Sequence, residues 1–216
     1  MENGMNNIKT LWKFNQYQTL LDARWACMFD LLEWRYEYQP YNINGWVPTF
    51  ALFGANTILV EVKPYTSLKQ FQTAKLIQAI DGSPMENKEI LLLGSEIFPE
   101  AEAFQDPAIG WIGEHGFADP ETYEINCWFA YAVFNFNRSW GFFHEYGGYN
   151  DRMTGRYDGD GHLMPPDYKE VLELWNLAGE IINFLYQRKG EYMGKSPIFS
   201  EDYVMAHCKH ILENRR

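Results

Sequence analysis

The chain has 216 residues, of which 46 % are hydrophobic and 17 % aromatic; that is enough apolar material for one packed domain with an appendage, and it excludes intrinsic disorder. Eighteen basic residues against 29 acidic ones leave a net charge of −11, without the basic run expected of a protein that grips duplex DNA by neutralising phosphates. No apolar run is long enough to span a membrane, and the three scattered cysteines (Cys27, Cys127, Cys208) suit a reducing, cytoplasmic setting, not a disulfide framework.

Residues 1–7 are polar and lack the charged-then-apolar order of a signal peptide, so no leader is expected. Residues 17–34 place Tyr17, Leu20, Leu21, Trp25, Met28, Phe29 and Leu32 on one helical stripe, with Asp22 at its margin and Cys27 as a small buried hydrophobe. Residues 34–38 alternate like a strand. Asn44-Gly45 is a strong signal for a two-residue hairpin turn, and residues 46–52 read as a second strand. A third strand is expected over 57–63 and a helix over 67–80. The apolar run 89–94 that follows predicts a buried strand parallel to the third.

The third strand carries the chemistry. Ile58-Leu59-Val60-Glu61-Val62-Lys63 ends in Glu-x-Lys, which puts a carboxylate and an ammonium on the same face of a strand. A metal-dependent phosphodiesterase needs that pairing: an anionic oxygen for a hard cation, and beside it a cation that orients water or meets developing charge. A solvent-facing charge pair on an ordinary strand has the same pattern.

With this motif, the order of helix, three-strand meander, crossover helix and strand resembles the PD-(D/E)XK nuclease superfamily, and within it a group of small phage and prophage proteins. The likeness rests on Leu20-Leu21-Asp22-Ala23-Arg24-Trp25-Ala26 in the first helix and on Val60 to Pro64 in the third strand, and it is best over 17–94. It implies an α/β fold, a restriction-endonuclease-like mixed sheet flanked by helices, with a C-terminal β-rich insert and helices. It implies a nuclease acting on DNA in the host cytoplasm, with Mg²⁺ or Mn²⁺ held by Asp22 and Glu61 and with Glu61 and Lys63 as catalytic residues; no zinc is expected. Where the family has an Asp after the proline of the second strand, this chain has Thr49 after Pro48. A neutral hydroxyl is a poor substitute for a carboxylate on such a cation, so the motif is degenerate there. The alternative expectation is a catalytically inactive nuclease-fold protein that binds a host protein, such as an inhibitor of host defence.

Beyond residue 115 the texture changes. Residues 128–144 are rich in rings and read as two or three strands with a turn near Asn137; Trp140 is the candidate contact for a partner or for nucleic acid. In the resembling proteins this stretch often holds paired cysteines. Here only Cys127 remains, which resembles a zinc-ribbon relic. Asp158 to His162 begins like a calcium loop but lacks the later ligands, and reads as a turn. Pro165-Pro166-Asp167 opens a helix to about Tyr186, whose broad apolar face would pack on the core or on a second copy of the chain in a homo-oligomer. A last helix is expected over 200–212; His207, Cys208 and His210 do not share one of its faces and make no metal site. The organisation expected is a nuclease-like core over 1–115, an aromatic insert over 116–164 and packing helices over 165–216. No phosphate-binding glycine loop, dinucleotide fingerprint or Gly-x-Ser-x-Gly elbow occurs.

Overall fold

A short hairpin, β1 (Thr10–Trp12) with β2 (Asn15–Tyr17), leads into α1 (Leu20–Leu31). The computed structural model describes residues 10–13, 15–81, 83, 89–102, 105–118, 125–136, 139–146, 150–157 and 165–192. The expected helix over 200–212, with His207, Cys208 and His210, lies outside them, as does the 158–162 loop. The chain divides into two compact units, built from residues 1–27 with 176–216 and from residues 28–175.

Helix α1 is shorter at both ends than the apolar stripe suggests, and its caps explain why. At the start, the Thr19 hydroxyl accepts the Asp22 amide at 3.0 Å, while Tyr17 already belongs to β2. At the end, Glu33 adopts φ 60° and the Trp34 amide reaches back to the Phe29 carbonyl at 2.8 Å, a left-handed closure that turns the chain into the sheet. Cys27 is buried, as expected of a small hydrophobe.

The larger unit contains one seven-stranded mixed sheet in the order β3-β4-β5-β6-β7-β8-β9. Strands β3 (Tyr36–Tyr38), β4 (Phe50–Phe53) and β5 (Thr57–Val62) form the expected antiparallel meander. A 3-10 turn (Leu68–Gln70) and α2 (Thr73–Asp81) then lead to β6 (Glu89–Leu93), which pairs parallel with β5 as the apolar run predicted. The single helix expected over 67–80 is broken. Gln70 turns its side-chain oxygen back onto the amides of Thr66 and Ser67, and Phe71 goes extended. The Phe71 ring is thereby driven between Tyr65 and Trp111, at 5.0 and 5.8 Å.

Strands β7 (Ala108–Ala118), β8 (Ile125–Phe136) and β9 (Trp140–His144) continue the same sheet by antiparallel pairing. The boundary expected between residues 115 and 116 therefore falls inside β7. Helix α3 (Tyr168–Tyr192) follows, with the Asp167 carboxylate accepting the Lys169 amide at 2.9 Å. No helix among the described residues is long and apolar enough to cross a membrane.

Two apolar layers cover the sheet within this unit. Leu59, Ile90, Leu92 and Trp111 pack with Ile43, Phe71, Leu76 and Ile80 on the α2 side. Phe29 meets Trp34, Tyr36 and Phe50 at 5.3–6.0 Å, and Trp34 in turn meets Phe142 at 5.4 Å. The segment after β9 is fastened to it: the Arg152 amide donates to the Phe142 carbonyl at 2.8 Å, and its guanidinium meets Glu89 at 2.7 Å.

Candidate functional site

Glu61 shares a face of β5 with Leu59, two residues earlier, so it points toward the α2 layer just where that apolar layer ends. The side chain is buried, and both of its oxygens have partners. Lys63 Nζ lies 2.7 Å from Oε1, and the Trp46 indole N–H donates to Oε2 at 2.9 Å. The Glu-x-Lys motif thus forms a contact ion pair whose lysine stays nearly half exposed.

Trp46 reaches the carboxylate because of the Asn44-Gly45 turn. Asn44 (φ 49°) and Gly45 (φ 88°) both take left-handed backbone, so the chain reverses in two residues and Ile43 and Trp46 exchange amide bonds at 2.7 and 2.9 Å. The turn lies within the connection from β3 to β4 and does not itself join the two strands. Its tip is anchored on α2 by Asn44 Nδ2, which donates to the Ala79 carbonyl at 2.8 Å.

The β4–β5 register pairs Phe50 with Val60, so one step further sets Thr49 beside Glu61. Thr49 is buried there, and its hydroxyl accepts the Val62 amide at 3.1 Å. Thr49, Glu61 and Lys63 therefore come together. Asp22 lies in the first turn of α1, buried, in the other compact unit. Trp140 stands on β9, its ring against Phe134 and Phe136 and its carbonyl accepting the Trp34 indole at 2.9 Å; it lines a separate cavity of 380 Å³.

Around Glu61 and Lys63 opens a cleft of about 760 Å³. The turn carrying Trp46 forms one wall. From α2 and its approach come Gln72, Lys75, Leu76 and Ala79, spaced so that they share a helical face, with Gln78 beside them. Tyr65 and Phe71 complete the lining. Trp46, Tyr65 and the two glutamines are members of the site that the strand motif alone does not reveal. The Asn44-Gly45 signal, which fixes where the next side chain is aimed, is the feature that leads to Trp46.

The donor set suits a divalent cation poorly. Mg²⁺ or Mn²⁺ needs several hard oxygens. Here the carboxylate is taken up by Lys63 and an indole N–H, and the neighbouring hydroxyl by a backbone amide. Among the described residues, no three His, Cys, Asp or Glu side chains gather where they could hold a metal ion. Comparison with family models, curated proteins and solved structures finds no match to this chain.

Proposed function

We propose that this chain is a PD-(D/E)XK nuclease-like protein of the small phage type, with a restriction-endonuclease-like core over α1 to β6, β7–β9 as its β-rich insert, and a DNA-directed cleft whose metal-dependent hydrolysis has lapsed. The meander β3–β5, the crossover through α2 and the parallel return to β6 support the core, and the Glu61–Lys63 pair at the mouth of a cleft supports the site. The observation that carries the lapse is Thr49. It stands next to Glu61 where the motif has an Asp, and its hydroxyl is committed to the Val62 amide.

The test is cleavage of labelled single- and double-stranded DNA with Mg²⁺ or Mn²⁺. Wild type should cut slowly or not at all, and Thr49→Asp should raise both Mn²⁺ affinity by calorimetry and the metal-dependent rate. Robust wild-type cleavage that disappears in Glu61→Ala would show the site intact. A folded Thr49→Asp with no gain in Mn²⁺ affinity would remove Thr49 from the ligand position.

A second reading, a non-catalytic binder of a host protein such as an inhibitor of host defence, draws on another surface. The Trp128 and Tyr146 rings stack at 5.3 Å while remaining 46 % and 47 % exposed, the form of an aromatic anchor. On that reading Trp128→Ala abolishes the biological effect and Glu61→Ala leaves it unchanged.

A further inference from the structure

We propose that the cleft beside β5 is a metal-independent site for one nucleotide-sized aromatic anion. The argument starts from charge. The whole chain carries −11, yet the cleft is lined by two cations, Lys63 and Lys75, and a single carboxylate. That carboxylate is already met by Lys63 at 2.7 Å and by the Trp46 indole at 2.9 Å. What an incoming group encounters is an excess of positive charge bordered by the carboxamides of Gln72 and Gln78, the chemistry that recognises a phosphate monoester or diester.

The rest of the lining is aromatic. Trp46 and Tyr65 are half-buried and flank the charged groups, and Tyr65 is braced edge-on by Phe71 at 5.0 Å. Half-buried rings beside a phosphate-sized patch of charge are a stacking platform for a base. A volume near 760 Å³ sits within the roughly 300–1,000 Å³ of ordinary small-molecule sites. The walls are preorganised: Asn44 ties the Trp46 turn to the Ala79 carbonyl at 2.8 Å, and Asn42 Oδ1 accepts the Gly45 amide at 3.0 Å. Binding of this kind needs neither a cation nor hydrolysis, and so goes beyond the nuclease reading.

Calorimetry on the full chain in excess EDTA tests it, with adenosine and thymidine 5′-monophosphates, the corresponding nucleosides, inorganic phosphate and a short oligothymidylate as probes. The monophosphates should bind, with nucleoside and inorganic phosphate each weaker by about tenfold or more, because each keeps only one half of the recognition. Lys75→Gln, an exposed change on α2, should weaken the monophosphates about tenfold, while Lys69→Gln, outside the cleft, should not. Tighter binding of the oligothymidylate assigns the ligand to a strand, and tighter binding of the monophosphate to a free nucleotide; either supports the site. The proposal is overturned by no binding at millimolar probe, by inorganic phosphate matching the nucleotide, by equal losses in Lys75→Gln and Lys69→Gln, or by binding only after Mn²⁺ is supplied. A chain that binds here yet never cuts DNA supports both readings; one that fails this test without cutting DNA loses this proposal alone, and one that binds here and cuts DNA loses the lapse alone.

Discussion

His144 gives the fold a pH dependence. It is almost wholly buried on β9; its Nδ1 accepts the Tyr146 amide at 3.2 Å, which leaves the proton on Nε2, 3.3 Å from the Trp128 carbonyl. Burial pushes its pKa below the ordinary 6.5, with the backbone hydrogen bonds opposing in part. The unfolded chain takes up this proton near 6.5 and the folded chain only at lower pH. The stability His144 contributes is therefore in place above 6.5 and is lost as pH falls through the folded value. The thermal midpoint should drop between about pH 7 and pH 5, and His144→Gln should flatten that slope. An unchanged slope in the variant would assign the dependence to other groups. The sequence gives no hint of this role, because the burial of a lone histidine depends on which strands flank it. Glu61 and Lys63 were legible as neighbours, since two-residue spacing on a strand fixes a shared face. The Trp46 contact was not, because it depends on a turn folding across fifteen residues of chain.

The segment 150–157 acts as a clasp on the sheet. Asp151 is buried and accepts the amides of Met153 and Thr154 at 2.8 and 2.7 Å and Asn135 Nδ2 at 3.1 Å. Gly141 on β9 lies so close to that carboxylate that a Cβ would run into it. Gly141→Ala should cost about 1–3 kcal/mol in urea denaturation, the range for overpacking. The clasp's other hold is the Arg152–Glu89 pair. Burial pushes the Glu89 carboxyl up and Arg152 pulls it down, so burial prevails. Arg152→Met leaves that carboxyl without its cation and should destabilise by about 3–5 kcal/mol, with much of the loss recovered when Glu89→Gln is added. If the double variant is as unstable as Arg152→Met alone, the clasp is held by its backbone bonds and not by charge. The sequence marks this region only as polar and glycine-containing. Turn composition locates a loop but says nothing of which sheet face it covers.

At the scale of the molecule, a charge of −11 repels a polyanion while the cleft attracts a single anionic unit. Oligonucleotide affinity should therefore fall only weakly with salt, with a log–log slope of about −1 to −2; a slope near −6 would mean that an extended basic track exists. Much of the sheet's first half was legible, since alternation and length separate the meander strands from the apolar run that becomes β6. That β7–β9 would join the same sheet was not, because pairing between distant strands leaves little trace in local pattern. The ends of that sheet have one further consequence. Its first strand, β3, is only three residues long with Glu37 exposed at its centre, and its last, β9, already has the Phe142 carbonyl bound by the Arg152 amide. Foreign strands recruit onto long, open margins with free amides and carbonyls. A stub on one flank and an occupied carbonyl on the other leave the two edges of this sheet less open margin for a foreign strand to pair with.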